Sequence, residues 1–341
     1  LLTLDIGGTS TDMALIDREP LRTNLGEIEG MPLRLPRLDV HTIGAGGGSI
    51  ARLDAAGGLR VGPESAGADP GPAAYGKGDR PTLTDAHLVL GHLLPQAFGF
   101  GRVAVDPDRA ARAIEPLAHA LGLSLHAAAE AIVAQARAKV VRGLRSVSAA
   151  RGISPETCTL LAFGGAGGLH LCALAQMLGV RQWIAPPYPG VLSAYGLLWM
   201  DSVHEARRTA LMSLPDTRTT RLDAVLLELR AECEAAMQTM GASPSDYELH
   251  AFADLRYEGQ SYEITVPLDP DRPAHARQAF EQQHAARYGF TLPDRLVELV
   301  NLRLRAVALH PKPAGACWEP PDTSLSNLPT AVRLILHGEA R

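Results

Sequence analysis

Leu1-Leu2-Thr3-Leu4-Asp5-Ile6-Gly7-Gly8-Thr9-Ser10-Thr11-Asp12-Met13-Ala14-Leu15-Ile16 opens the chain. Two short apolar runs, Leu1 to Ile6 and Asp12 to Ile16, flank Gly7-Gly8-Thr9-Ser10-Thr11, the pattern of a β-hairpin with a glycine-bearing turn. A strand that ends in Asp and turns through two glycines exposes several main-chain N–H groups at one point, and such a nest binds phosphate oxygens. Gly7 and Gly8 let the backbone approach an anion, Thr9 and Thr11 can donate hydroxyls, and Ser10 lies between them in the same turn. Asp5 is suited to hold Mg²⁺ through water, because hard cations prefer oxygen ligands. An ordinary hairpin turn carries the same residue types, so this octamer alone leaves both readings open.

Further glycine clusters shift the balance. His41 to Pro63 reads as strand, Gly44-Ala45-Gly46-Gly47-Gly48-Ser49, strand, turn and strand, and Gly46, Gly47 and Gly48 are counted with the phosphate-contacting residues. Gly164-Gly165-Ala166-Gly167-Gly168 separates a buried strand, Thr159 to Phe163, from a helix, Leu169 to Leu178, that Gly179 ends. There Gly164, Gly165, Gly167 and Gly168 permit close approach of a flat or anionic ligand, and the helix start favours negative charge. The spacing is not the GxGxxG dinucleotide fingerprint. Tight strand–helix packing would explain one such cluster, but with the hairpin upstream a nucleotide lying between the two explains both.

Between the clusters the chain is mostly helical in pattern. Thr84-Asp85 can cap a short helix through Leu93, Pro107 suits the first turn of another, and Ser124 to about Ala150 carries apolar residues at helical spacing. Residues 62–81, rich in Gly and Pro, read as an irregular loop. Beyond residue 204 a charged helix (Arg221–Met240), strands (Leu249–Tyr257, Tyr262–Pro267), a helix (Ala274–Tyr288) and a strand (Val297–Leu309) form a smaller α+β module. The expected division is 1–204, 205–310 and an extended tail, 311–341, with five prolines.

Several of these motifs, in their order, resemble the hydantoinase A/5-oxoprolinase/acetone carboxylase family: Asp5 to Asp12, Thr42 to Ala51, Ser65 to Gly76 and Phe163 to His170. Pro186 to Gly196, Leu255 to Glu263, Arg287 to Phe290 and Val300 to Arg303 extend the match over nearly the whole chain except the tail. The resemblance implies an α/β, actin-like ATPase fold of two ribonuclease-H-like halves, of which this chain supplies the second. It makes Asp5–Asp12 the second phosphate loop and Gly164–Gly168 the adenosine loop, with ATP and Mg²⁺ as cofactors and Asp5, Thr9 and Asp12 in catalysis. It also implies an upstream N-terminal ATP-binding half, in keeping with a start at Leu1 inside an apolar run, and a hydantoinase B-like partner subunit. The expected reaction is ATP-dependent opening of a cyclic amide such as a hydantoin, 5-oxoproline or lactam. The alternatives are ATP-dependent ketone carboxylation and a non-catalytic nucleotide-binding or assembly module. Two positions depart from the family pattern: Ala74 stands where Cys is frequent, and Glu281 where a first His often precedes His284. No thiol chemistry is assigned at Ala74, and His284 reads as a partly buried helix histidine.

Composition narrows the remaining classes. The net charge of −5 arises from near-balanced acids and bases without Lys/Arg blocks, so nucleic acid is not an expected partner. No run reaches the roughly 18 apolar residues of a membrane span, and the four cysteines are too scattered for a metal site. A cytoplasmic protein with reduced thiols is expected. His170 could contact nucleotide or make only a local hydrogen bond, Asp85 reads as a helix cap, and Tyr257, Gln260 and Tyr262 as alternating positions on a strand. His41 has no partner identifiable in the sequence.

Overall fold

The structure, a computed structural model, describes residues 1–17, 19–23, 26–28, 30–33, 37–96, 98, 104–312, 335–336 and 339–340. The chain forms two compact units, one containing Leu1–Tyr195 and the other Gly196–Ala316.

In the first unit the hairpin strands β1 (Leu2–Ile6) and β2 (Thr11–Asp17) pair antiparallel, with Asp5 opposite Asp12 and Ile6 opposite Thr11. β3 (Val40–Ile43) adds antiparallel to β2. The sheet widens on the other side through β6 (Thr159–Phe163), parallel to β1, and β7 (Gln182–Ile184), parallel to β6. The order is therefore β3-β2-β1-β6-β7, with the two-residue strand Glu19–Pro20 also on β2. Between β3 and β6 come the hairpin β4 (Ser49–Leu53) and β5 (Leu59–Ser65) and three helices: α1 (Leu83–Val89), α2 (Pro107–Leu121) and α3 (Leu125–Ala149). α4 (Gly167–Leu178) links β6 to β7.

Strand alternation puts Leu2, Leu4, Ile6, Met13, Leu15, Leu160 and Ala162 on one face. Against it lie Val140, Val141 and Leu144 of α3 and Leu171, Leu174 and Leu178 of α4. Full burial of each such leucine contributes roughly 1.5–3 kcal/mol. α3 approaches so closely that a Cβ on Gly143 would lie 2.6 Å from Met13 Cε. The opposite face of β1 and β2 carries Asp5 and Asp12, so core packing fixes where the two carboxylates point.

Helix ends follow their capping residues. Asp106 caps α2 ahead of Pro107, Ser124 caps α3, and left-handed Gly122 and Gly179 close α2 and α4. Three stretches of the first unit differ from the expectation by two residues or more. The cap of α1 is Thr82, and Asp85 is the third residue of a capping box; the helix ends at Val89, short of Leu93. β5 runs on through Ser65 and a turn of 3₁₀ helix forms at Ala73–Tyr75, inside the stretch read as irregular. α4 begins at Gly167, because glycine is tolerated in a first turn that supplies open amides.

The second unit is a four-stranded antiparallel sheet in the order β8-β11-β9-β10, formed by β8 (Ser202–Ser213), β9 (Tyr247–Tyr257), β10 (Ile264–Pro267) and β11 (Val297–Ala308). The short α5 (Leu192–Leu197) precedes it, and α6 (Thr220–Thr239) and α7 (Ala274–Tyr288) cover its apolar face. β8 went unrecognised in the sequence: its fully buried positions are only Ala206 and Ala210, which lack a strand signature. On the other face Asp254, 1 % exposed, accepts from Arg303 Nε, Asn301 Nδ2 and Thr265 Oγ1. Beyond Lys312 the expected tail falls almost wholly outside the described residues. No single helix among the described residues is long and apolar enough to cross a membrane.

Candidate functional site

Gly7, Gly8, Thr9 and Ser10 form the turn between β1 and β2. The Gly7 N–H closes the turn on Ser10 O at 3.0 Å. Among the described residues no main-chain or side-chain acceptor takes the N–H groups of Gly8, Thr9 or Ser10, and Gly8 and Thr9 are exposed. A Cβ on Gly8 would meet nothing within 4 Å. Neither packing nor a left-handed φ requires glycine there, whereas close approach of an external group would.

Gly46, Gly47 and Gly48 have a different place. Gly47 N donates to Gly7 O at 3.0 Å and Gly48 N to Gly8 O at 2.6 Å, while Gly46 N is held by Ser49 Oγ. A Cβ on Gly46 would sit 2.7 Å from Thr9 N. These glycines back the hairpin, and their amides are occupied. Thr84 on α1 reinforces them by donating its N–H and its hydroxyl to Gly47 O. Thr11, expected to offer its hydroxyl to a ligand, is instead fully buried on the core side of β2 and donates that hydroxyl to Ala45 O.

The second glycine cluster lies beside the hairpin. β1 and β6 run parallel, so their C-terminal ends emerge together, with Asp5 in register with Phe163. Ala166 N donates to Ile6 O at 3.1 Å. Gly164 is left-handed (φ 81°), and a Cβ there would fall 2.2 Å from Asp5 Oδ1 and 2.5 Å from Ile6 O. Glycine at 164 is thus demanded by the junction itself. Gly165 and Gly168 are exposed with nothing within 4 Å of a built Cβ. α4 has no side-chain cap, and among the described residues the N–H groups of Gly165, Gly167 and Gly168 are donated to no acceptor. Two sets of open amides therefore sit at one end of one sheet, where the helix dipole favours an anion.

Asp5 and Asp12 face each other across the hairpin. Burial raises the Asp5 carboxyl above its ordinary value, the Ser193 hydrogen bond at 3.3 Å offsets part of this, and the Asp12 charge adds to the rise. Asp12 accepts from Thr42 Oγ1 at 2.5 Å. Two like-charged carboxylates directly opposite one another destabilise a strand pair unless a cation is shared, and the donors here, all oxygen, suit a hard divalent cation. Among the described residues no group of three or more His, Cys, Asp or Glu side chains makes a metal cage, so such an ion would keep other ligands as well. Ser193, in the first turn of α5, had no assigned role in the sequence. Its segment is fixed by Gly164 N donating to Pro189 O at 2.9 Å.

A histidine chain was also missed, because its members are distant in sequence. His170, 2 % exposed in α4, meets His87 of α1 at 3.3 Å between Nε2 atoms, and His87 Nδ1 lies 3.0 Å from His92 Nδ1. Arg137 of α3 reaches His170 Nδ1 at 3.4 Å and Leu169 O at 3.3 Å. A guanidinium only donates, so His170 Nδ1 accepts and its proton sits on Nε2. The order then propagates: His87 accepts at Nε2 and donates from Nδ1, and His92 accepts at Nδ1. Burial, with the positive Arg137 beside it, pushes His170 down to about 3, and burial together with His170 holds His87 well below its ordinary value. The local hydrogen bond is the arrangement found for His170, and it ties the start of α4 to α1, whose Thr84 holds the Gly47 loop.

Other residues singled out in the sequence lie elsewhere. Asp85 is fully buried and accepts from Ala73 N, Ala74 N, Thr82 N and Thr82 Oγ1; burial raises its carboxyl while these donors lower it. Tyr257, Gln260 and Tyr262 do not share a strand, since β9 ends at Tyr257 and β10 begins at Ile264. Tyr257 is core, Gln260 Nε2 lies 3.3 Å from His284 Nε2, and Tyr262 is exposed. His284 is buried rather than partly buried and is bonded to Phe290 O at 2.8 Å. His41 is exposed on β3.

The hydantoinase/oxoprolinase family profile matches residues 1–206, and the chain belongs to that family. It is 35 % identical over 349 residues to caprolactamase subunit alpha of Pseudomonas jessenii, covering 98 % of this chain and 50 % of that one. It is 32 % identical to the 5-oxoprolinase of Saccharomyces cerevisiae, covering 90 % of this chain and 25 % of the relative. A nucleotide-free structure of acetone carboxylase superposes with a TM-score of 0.79 at 27 % identity, covering 92 % of this chain and 47 % of that one. The chain thus spans half, or a quarter, of the length of these relatives.

Proposed function

We propose that this chain is the ATP-handling part of an enzyme that opens a cyclic amide by phosphorylating its carbonyl oxygen. The observation that carries this reading is the pairing of open amides at Gly8, Thr9 and Ser10 with those at Gly165, Gly167 and Gly168, at the adjoining ends of parallel β1 and β6. The strand order β3-β2-β1-β6-β7, three antiparallel strands followed by two parallel ones, supports a ribonuclease-H-like half of an actin-like ATPase. The relatives named 5-oxoprolinase and caprolactamase support a cyclic amide as substrate.

A cyclic amide is a poor electrophile with a poor leaving oxygen. Bound ATP would supply the phosphoryl group that makes the carbonyl oxygen a leaving group, and two waters would be consumed: one adds to the activated carbon before the C–N bond breaks and frees the amine, and the second displaces phosphate, which leaves with the former amide oxygen and yields the carboxylate. Gly8, Thr9 and Ser10 hold phosphate oxygens through their amides, so charge is met by fixed dipoles. Gly165 and Gly168 leave room for the nucleoside side of the same ligand. Asp5 and Asp12 would hold Mg²⁺, which supplies charge neutralisation at the phosphates. Ser193 orients Asp5. Gly46, Gly47 and Gly48 act from behind, by fixing the hairpin. Completion by an upstream ATP-binding half and a hydantoinase B-type subunit belongs to the same proposal.

The test is phosphate release by the full-length protein reconstituted with its hydantoinase B-type subunit, using 5-oxoproline and lactams with and without bicarbonate. Release without bicarbonate is expected, and Asp5→Asn should lower it by about tenfold to a hundredfold through loss of a charged ligand. The likeness to acetone carboxylase favours a second reading, ketone carboxylation, and strict bicarbonate dependence would establish it in place of the first. A non-catalytic assembly module would show no ATP-dependent change in melting temperature, and a non-catalytic nucleotide-binding module would show that change without phosphate release.

A further inference from the structure

On the first unit, away from the open amides, a cavity of about 330 Å³ is lined by Arg52, Arg60, Lys139 and Arg142 with Asp54 as its one carboxylate. Two like-charge pairs converge there. Arg52 and Arg60 are cross-strand partners of β4 and β5, and Lys139 and Arg142 stand three residues apart on α3. Each such pairing is unfavourable by itself. Asp54 compensates only Arg60, whose Nε it accepts at 2.8 Å while also accepting from the amides of Ala56 and Gly58 at 3.0 and 2.8 Å, so Arg52, Lys139 and Arg142 have no carboxylate of their own in the cavity lining. Glu64, which feels the Arg52 charge, is held by both terminal nitrogens of Arg80 at 2.5 and 2.9 Å. Among the described residues Arg52 and Arg142 make no hydrogen bond or ion pair of their own.

We infer that this cavity is a second anion site, separate from the hairpin, that takes a phosphate dianion, either free or as a small phosphate ester. Its volume admits such a group, and guanidinium forks on two sides match its oxygens. Burial, with Arg142 beside it, holds the Lys139 ammonium below its ordinary value, in keeping with a cation lacking its counter-charge. The site also has a mechanical connection. Lys139 Nζ donates to Gly44 O at 2.7 Å, and Pro63 on the cavity wall packs against Gly44, which opens the loop holding the hairpin from behind. Occupancy therefore bears on the same loop that supports the nucleotide end.

Calorimetric titration of inorganic phosphate, with glycerol phosphate in a parallel arm, tests this in the full-length protein carrying Gly8→Val, a change that disables the hairpin as a competing phosphate site. One saturable site per chain is expected. Adding Arg142→Met or Arg52→Met should weaken it by about tenfold or more as a charge-assisted contact is lost. Both arginines are exposed, so the variants keep the fold, which unchanged melting temperatures check. Tighter binding in one arm identifies whether free phosphate or an ester is the occupant. Absence of saturable binding in both arms, or binding that the two arginine variants leave unchanged, overturns the assignment.

Discussion

Gly8→Val in the full-length protein should reduce ATP turnover by about 10²–10³, the scale of losing one preorganised donor at a developing charge, while its stability stays within about 0.5 kcal/mol of the parent, as for surface changes. Gly164→Ala should do the opposite first: it should unfold the protein more readily, by about 3 kcal/mol or more, whatever happens to turnover. The contrast follows from what an added Cβ meets. At Gly8 it meets nothing within 4 Å, and side-chain bulk fills only the space in front of the open amides. At Gly164 it falls 2.2 Å from Asp5 Oδ1 and 2.8 Å from Ile6 N at a φ of 81°, so β1 must move. Denaturant titration and steady-state phosphate release on the same preparations separate the two effects. Full turnover in Gly8→Val would remove the hairpin from the site, and a Gly164→Ala variant as stable as the parent would show that the β1–β6 junction is not packed this way.

The same two positions show how far the residues could be read without coordinates. Both glycines stood out in the sequence because runs of glycine between a buried strand and a turn or helix are a local signal. What separates their roles is not local. Gly164 serves the backbone of β1, some 160 positions earlier in the chain, and Gly8 serves empty space. Gly46, Gly47 and Gly48 illustrate the cost of that ambiguity: grouped by composition with the phosphate-contacting residues, they spend their amides on Ser49 and on the carbonyls of Gly7 and Gly8. Long apolar periodicity made α3 readable almost to the residue, and Pro107 marked the first turn of α2. β8 was hidden because its fully buried positions are alanines and the residues between them, Arg207, Arg208 and Thr209, are exposed and polar, so the pairing with β11 decides its state more than its own propensity. Ser193 and the histidine chain were beyond reach for a simpler reason, since contacts between α1, α3, α4 and α5 leave no spacing to recognise.

The histidine chain ties the stability of the fold to pH. Below pH 6.5 the unfolded protein takes up protons at His87 and His170, whereas the folded protein, in which both are held well below 6.5 and His170 near 3, does not. The unfolded state then binds more protons, so stability is fully present above the ordinary histidine value and is lost as pH falls from about 6.5 toward 3. Each such histidine adds up to about 1.4 kcal/mol per pH unit, so the pair can remove about 3–4 kcal/mol between pH 6.5 and 5, before most carboxylates titrate. The groups facing the pair, Arg137 from α3 and His92 beyond the end of α1, are positive or able to become so, and none relieves a proton placed on either ring. The double variant His87→Gln/His170→Gln should lower stability at pH 7.5 and flatten its dependence between pH 6.5 and 5 by about two protons. Denaturant midpoints measured across that interval decide the matter. An unchanged slope would mean that the two rings already carry charge in the fold, and the one-way order of donors from Arg137 through His170 to His92 would have to be given up, together with its part in holding the first turn of α4.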